Sequence, residues 1–260
     1  MRRSWRSAES VSLSSEYRRQ REWRLWPRIL GELPPLPGST ILDLGCGPGD
    51  QAAEMVARGA RVIGIDRNEE LLREARTRRL SAAEFRFADL RAFREPGLAA
   101  DGIWCSFTAA YFTDFPVVLA GWAGHLRPAG WMAITEIDDL FAHAPLGERT
   151  KALLDGYARD ALAAGRYDFH MGRKIRGYLE QSGFAVSKTL ALADEELSFG
   201  GPARPDVVDA WRLRFDRMKL LQDFCGAEYD RVRGDFLSCL GRADHRSQAK
   251  VVCCIASKNG

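Results

Sequence analysis

Residues 39–49 read STILDLGCGPG, in which a short apolar run is followed by three glycines at alternate positions. The run ILDL is typical of a buried strand, and the pattern QAAEMVARG at 51–59 is typical of a helix. Glycines between a strand and a helix let a ligand approach the backbone closely, and the first N–H groups of the helix point towards it. The stretch therefore predicts a strand–turn–helix unit that binds a small molecule.

The spacing of these glycines distinguishes between classes of ligand. A dinucleotide-binding turn has the pattern G-x-G-x-x-G directly after the strand, whereas Gly45, Gly47 and Gly49 alternate here. Asp43 precedes them, and a carboxylate beside the turn attracts an ammonium group and repels a pyrophosphate. The pattern therefore favours a ligand that carries a positive charge near the end of the strand.

Strand patterns recur along the chain with helical patterns between them. After 41–44 they are RVIGID (61–66), EFRFADL (84–90), DGIWCSF (101–107), WMAITEID (131–138), FAVSKTLALA (184–193) and AKVVCCIAS (249–257). Such alternation implies right-handed crossovers and a mostly parallel sheet with helices on both faces. The predicted fold class is α/β, with a doubly wound sheet of seven strands.

The length of 260 residues suits a single domain, residues 1–260. A helix is predicted over about 12–32. Helical patterns at about 138–180 and 199–245 interrupt the strand rhythm, and we interpret them as lid insertions.

Composition and charge exclude several classes of protein. The net charge of +3 comes from interspersed charges of both signs, which argues against a nucleic-acid or membrane partner. No apolar run reaches the roughly 18 residues of a membrane span. The six cysteines form no CxxC pair, so we expect a reduced, cytoplasmic protein without structural zinc. Glu9, Glu16 and Glu22 argue against a transit peptide.

Two further acids follow predicted strands. Asp66 ends the second strand, where a carboxylate can accept hydrogen bonds from both hydroxyls of a ribose. Asp89 ends the third strand, where it can accept one from the amino group of adenine. With Asp43, these acids indicate an adenosine joined to a charged amino-acid tail.

The motifs ILDLGCGPG, VIGID, FADL and LRPAGWMAITE, in this order, resemble those of the class I S-adenosylmethionine-dependent methyltransferases. The resemblance is good over residues 35–140 and loose elsewhere. It implies S-adenosyl-L-methionine as cofactor, S-adenosyl-L-homocysteine as product, and an antiparallel last strand. With no signature of a macromolecular substrate, we expect methyl transfer to an oxygen or nitrogen of a small molecule.

The resemblance also implies roles for individual residues. It places Asp43, Gly45, Cys46 and Gly47 around the methionine part of the cofactor, Asp66 at the ribose, Arg67 beside the adenine, Asp89 and Leu90 at the adenine edge, Ser106 under the sulfonium, and Tyr17 over the carboxylate. Taken singly, Asp43 has the alternative of capping the loop, and Asp66 that of an ordinary acid at a strand end.

The residues that act on the acceptor are less well indicated. His170 is our preferred general base, with a packed or surface histidine as the alternative. Tyr111 occupies a position that faces the acceptor in related enzymes, with core packing as its alternative, and His143 is a weaker catalytic candidate. Ser106 and Phe107 stand where metal-dependent catechol-type enzymes have an aspartate, so no catalytic metal is expected.

Two other functions stay open. One is a NAD-dependent oxidoreductase, because Asp66 would also suit the ribose of that cofactor, although the glycine spacing and Asp89 oppose it. The other is a non-catalytic, methyltransferase-like binding module, which the intact Asp43–Gly49 turn opposes. The sequence leaves open the identity of the acceptor and the oligomeric state.

Overall fold

A computed structural model describes residues 22–259. Its strands are β1 (Thr40–Leu44), β2 (Arg61–Asp66), β3 (Ala83–Phe87), β4 (Ala100–Ser106), β5 (Leu126–Asp138), β6 (His143–Ala144), β7 (Phe184–Leu192), β8 (Arg246–Ser247) and β9 (Lys250–Lys258). The main sheet has the order β3-β2-β1-β4-β5-β9-β7, and β9 runs antiparallel to both of its neighbours, whereas the other pairs are parallel. The seven predicted strands and the antiparallel last strand are confirmed. The small β6–β8 ladder was not predicted.

The helices of the described residues cover both faces of this sheet. They are α1 (Trp26–Leu30), α2 (Asp50–Ala57), α3 (Glu69–Thr77), α4 (Phe115–Ala123), α5 (Glu148–Ala163), α6 (Met171–Gln181), α7 (Pro205–Arg217), α8 (Lys219–Cys225) and α9 (Tyr229–Leu240). None of the helices within 22–259 is long and apolar enough to cross a membrane.

The centre of the sheet is the point where ligands bind in folds of this kind. The chain runs outward from β1 to β2 and β3 and then returns to β4 on the other side of β1, so a crevice opens at the carboxyl ends of β1 and β4. Asp43 of β1 is in register with Gly64 of β2 and Trp104 of β4. Because residues in register point to the same face of a sheet, the side chains of Asp43 and Trp104 are neighbours.

The predicted N-terminal helix is interrupted at residues 24–25 in the described part of the chain. Residues 12–21, and Tyr17 with them, lie outside the described range. Helix α1 begins only at Trp26, after Leu25 in a non-helical conformation (φ −83°, ψ 44°), and Pro27 stands in its first turn. Proline lacks an N–H and is favoured at a helix start, so the predicted helix does not continue unbroken to residue 32.

Part of the predicted lid belongs to the sheet layer. Met171, Ile175 and Leu179 of α6 are buried in one cluster with residues of the sheet. A Cβ on Gly172 would lie 2.7 Å from the backbone nitrogen of Asp138, so the helix touches β5 directly. This helix therefore covers the sheet, and the function of the segment 138–180 as a lid stays a prediction.

The remaining insertions form a separate helical layer, which comprises α5, α7, α8 and α9. These helices contact one another, and α9 also contacts the short strand β6. Trp211 and Phe215 of α7 pack with Phe236 of α9 at ring-centroid distances of 4.8 and 5.1 Å. The function of this layer as a lid stays a prediction.

Candidate active site

A cavity of about 510 Å³ lies at the carboxyl ends of β1, β2 and β4. The predicted cofactor residues within 22–259 all line it, namely Asp43, Gly45, Cys46, Gly47, Asp66, Arg67, Asp89, Leu90 and Ser106. Tyr111, predicted to face the acceptor, lines the same cavity. The structure therefore brings together residues that are spread over almost 70 positions of the chain.

The glycine turn is held against the end of β2. The backbone nitrogens of Gly45 and Cys46 donate to the carbonyl oxygen of Ile65 at 2.8 and 3.2 Å. Gly45 has φ +80°, and a Cβ there would lie 2.0 Å from the hydroxyl oxygen of Thr108. Gly47 has φ +51° and no atom within 4 Å of the Cβ it lacks, so a ligand can approach its backbone.

The carboxylate of Asp66 is oriented by backbone donors. Its Oδ2 accepts a hydrogen bond from the nitrogen of Gly47 at 2.8 Å, and its Oδ1 accepts one from the nitrogen of Asn68 at 2.9 Å. Each carboxylate oxygen has two lone pairs, so both keep one for a further donor. This geometry suits a pair of ribose hydroxyls.

Asp43 carries a buried carboxylate, and no cation among residues 22–259 is paired with it. The residue is 2 % exposed, and its Oδ2 has no hydrogen-bond partner within that range. Burial, followed by the nearby carboxylates of Asp66 and Asp50, raises the pKa of Asp43 to about 8. Because Asp50 is already paired with Arg78 at 2.7 Å, the neighbourhood of Asp43 favours a cation supplied by a ligand.

The loop after β3 forms another part of the wall. The carbonyl oxygen of Leu90 accepts a hydrogen bond from the indole nitrogen of Trp122 at 2.9 Å, and the carboxylate of Asp89 accepts one from the nitrogen of Arg91 at 2.9 Å. Arg91 is also paired with Asp114 at 2.5 Å. These contacts hold Asp89 at the cavity, where its carboxylate can accept a further hydrogen bond.

Aromatic side chains line the remaining wall. The ring of Trp26 packs edge-on against Trp104 and Phe107, with centroid distances of 5.9 Å to each. Tyr111 is half exposed and packs edge-on against Tyr167 at 4.9 Å. Trp104 was missed in the sequence, although strand alternation puts it on the same face as Ser106, two residues further along β4.

A buried ion cluster attaches the N-terminal segment beside this wall. Arg24 lines the cavity and donates to both carboxylate oxygens of Asp194, at 2.9 and 2.8 Å, and to Glu196 at 2.8 Å. Burial alone would raise the pKa of Glu196, but the guanidinium groups of Arg214 and Arg24 lower it to about 2. No local pattern marks Arg24 as a site residue, because its partners lie some 170 residues away.

The two candidate histidines lie away from this cavity. His170 lines a separate cavity of about 220 Å³, and its Nδ1 is 3.8 Å from a carboxylate oxygen of Asp138. His143 is buried, and its Nδ1 is 2.9 Å from Nε2 of His245. Burial, followed by His245, lowers the pKa of His143 to about 3. The structure does not bring either histidine to the cavity, and their catalytic roles stay predictions.

Tyr111 is suited to hydrogen bonding in its neutral form. Partial burial of the phenol, followed by the nearby carboxyl group of Glu136, raises the pKa of Tyr111 above its ordinary value. The phenol therefore keeps its proton at neutral pH and can donate a hydrogen bond to an acceptor molecule.

Comparisons with known proteins agree with this geometry. The profile of the methyltransferase domain family matches residues 41–130. The nocamycin O-methyltransferase of Saccharothrix syringae is 32% identical over 203 residues, which are 70% of each chain. The trans-aconitate 2-methyltransferase of Azoarcus sp. (strain BH72) is 39% identical over 108 residues, which are 41% of this chain and 42% of that protein.

A solved structure extends the similarity of fold. The crystal structure of the [4+2]-cyclase SpnF superposes with a TM-score of 0.60 at 17% identity, over 91% of this chain and 80% of that one.

The chain belongs to the class I S-adenosylmethionine-dependent methyltransferases, and its cofactor is S-adenosylmethionine. The unpartnered carboxylate of Asp43 fits the ammonium group of that cofactor, and the oriented carboxylate of Asp66 fits its ribose.

Proposed function

We propose that the protein transfers the methyl group of S-adenosylmethionine to an oxygen or a nitrogen of a small molecule. The nocamycin relative, matched over 70% of both chains, is named for methylation of an oxygen and therefore favours an oxygen acceptor. The trans-aconitate relative is matched over less than half of its length, so it supports the general class of acceptor only.

The observation that carries the proposal is the buried carboxylate of Asp43, whose Oδ2 has no partner in the described part of the chain, in a cavity that Asp66 and Asp89 also line. In the proposed complex, Asp43 binds the ammonium of the cofactor, Asp66 the ribose hydroxyls, and Asp89 the amino group of adenine. S-adenosylmethionine supplies an electrophilic methyl group on a sulfonium. The three acids would position that group, and positioning contributes much of the rate of such a transfer.

The acceptor is proposed to lie against the aromatic wall formed by Trp26, Phe107 and Tyr111. Flat apolar faces suit a planar or apolar acceptor, and the neutral phenol of Tyr111 would donate a hydrogen bond to its polar group. A protein base is needed only where the acceptor must lose a proton. An acceptor whose oxygen is already ionised in water needs no protein base. Acceptors of this kind suit the aromatic wall, because Tyr111 is protonated and can donate a hydrogen bond to the ionised oxygen.

The first experiment is calorimetric titration of the folded protein with S-adenosylhomocysteine, followed by incubation with S-adenosylmethionine and a panel of carboxylates, enols, phenols and amines. Mass spectrometry would detect S-adenosylhomocysteine and the methylated acceptor together. Tyr111→Phe should raise KM for the acceptor without changing the affinity for S-adenosylhomocysteine. His170→Ala should reduce turnover of neutral hydroxyl acceptors selectively if His170 is the base.

Absence of S-adenosylhomocysteine binding by folded protein would refute the proposal. A fluorescence titration with reduced nicotinamide nucleotides would then test the oxidoreductase alternative. Cofactor binding without any transfer would instead favour a second candidate, a protein that binds the cofactor without methylating. The similarity in fold to a [4+2]-cyclase supports retaining that candidate, because the fold alone does not determine the reaction.

A further inference from the structure

Within residues 22–259, three residues that line the cavity carry a buried side-chain polar atom without a hydrogen-bond partner: Asp43 (Oδ2), Ser106 (Oγ) and Trp104 (Nε1). Oδ2 of Asp43 is an acceptor, and the indole nitrogen of Trp104 is a donor. Both residues line the cavity, and their exposed fractions are 2 % and 1 %. Buried polar groups normally have a partner, since leaving one unpaired costs about 1–3 kcal/mol.

The sheet places these two residues next to each other. Asp43 and Trp104 are in register across the β1–β4 pair, and their side chains are on the same face. Neighbouring strands are separated by about 4.8 Å. An acceptor and a donor carried by adjacent strands on one face suit an amino acid, whose ammonium and carboxylate groups are attached to one carbon atom.

We propose that the indole N–H of Trp104 binds the carboxylate of the cofactor's amino-acid tail, while Asp43 binds its ammonium. The inference rests on the proposed function, since it takes S-adenosylmethionine as the ligand. A lone anion would be repelled by Asp43, whereas the tail brings its own ammonium between the two carboxylates. A hydrogen bond to a charged group is also stronger than one between neutral groups.

The surroundings of Trp104 indicate how the tail would reach it. The indole nitrogen is covered in the described conformation, and the neighbouring ring of Trp26 packs edge-on at 5.9 Å. Binding of the tail therefore requires one of these two rings to shift. We expect a change in tryptophan fluorescence when S-adenosylhomocysteine binds, and a smaller change with 5′-methylthioadenosine, which lacks the tail.

A competing arrangement is a hydrogen bond from Trp104 to Asp43 itself, formed by a small rotation of either side chain. In that case Trp104 would orient the carboxylate that binds the ammonium and would not contact the cofactor. The two arrangements differ in their dependence on the ligand's carboxylate, which makes them separable by experiment.

The test compares Trp104→Phe, which keeps a ring and removes the N–H, with the wild-type protein. Calorimetry would use S-adenosylhomocysteine and its decarboxylated analogue, which keeps the amine. We expect the variant to bind S-adenosylhomocysteine roughly ten- to a hundredfold more weakly, and the analogue within about twofold of wild type. Trp131→Phe is a matched control, because this buried indole on the same sheet face lies outside the cavity lining.

Each other outcome overturns the inference. Equal losses for both ligands would assign Trp104 to the orientation of Asp43, and unchanged binding of both would show that the N–H contacts neither. Wild-type affinity of the variant for the analogue would demonstrate that it is folded. If the wild-type protein binds none of these compounds, the proposed function is refuted. That outcome is distinct from a loss that is confined to the variant.

Discussion

The raised pKa of Asp43 predicts that cofactor binding depends on pH. Burial and the charges of Asp66 and Asp50 raise the pKa of this carboxyl group to about 8. An ammonium group beside it favours the ionised form, so binding should release a proton from Asp43. Lowering the pH below about 8 therefore opposes binding, and raising it towards that value favours binding.

The magnitude follows from the fraction of Asp43 that is ionised before binding. With a pKa of about 8, that fraction falls about tenfold for each pH unit below it, which corresponds to about 1.4 kcal/mol. Between about pH 7.5 and pH 6, the dissociation constant of S-adenosylhomocysteine should rise roughly 20-fold. The amino group of the ligand is mostly protonated over this window, because its ordinary pKa is about 7.7–8.0.

The assay is isothermal titration calorimetry in two buffers that differ in ionisation enthalpy. At pH 6.5 the difference in observed enthalpy should correspond to about one proton released for each ligand bound. Asp43→Asn should bind about ten- to a hundredfold more weakly at pH 7.5, because its amide oxygen accepts from the ammonium but carries no opposite charge. Its affinity should be nearly independent of pH over the same window.

A dissociation constant that is flat with pH in the wild-type protein, or a proton count near zero, would refute this reasoning. The pH dependence could also survive in Asp43→Asn. Another group in the cavity would then be responsible, and the raised pKa of Asp43 would not be the cause.

Three further predictions concern the turn, the buried histidine pair and the sheet layer. Gly45→Ala should weaken S-adenosylhomocysteine binding and lower the melting temperature, because its Cβ would lie 2.0 Å from the hydroxyl oxygen of Thr108. Gly97 has a similar φ with open space around it, so Gly97→Ala should lose only about 1–2 kcal/mol of unfolding free energy. The pKa of His143 falls from 6.5 to about 3 on folding, so its contribution to stability is present above pH 6.5 and is lost as the pH falls towards 3. Urea titration measures the free energy of unfolding at each pH. Between about pH 6.5 and pH 5, that free energy should fall by about 2 kcal/mol more in the wild-type protein than in His143→Leu. Ile175→Ala should cost about 2–5 kcal/mol of unfolding free energy, whereas the exposed Leu220→Ala should cost under about 0.5 kcal/mol; similar values would contradict the placement of α6 on the sheet.

The sequence alone predicted the architecture and the cofactor side of the site. Strand alternation and glycine turns are local features, so they can be read without knowing what packs against them. Asp43, Asp66 and Asp89 each follow or belong to a strand that is evident from its pattern, and parallel strands bring their carboxyl ends to one edge. The cavity lining contains all three acids for that reason.

Only the tertiary structure decided which helices cover the sheet and which residues complete the cavity. The pattern of α6 is that of any amphipathic helix, and the pattern does not tell which surface its apolar face meets. His170 and His143 were candidates by residue type, yet contacts distant in sequence hold them outside the cavity. Arg24 and Trp104 join the site because a buried ion cluster and a strand register bring them there, and both depend on the whole folded chain.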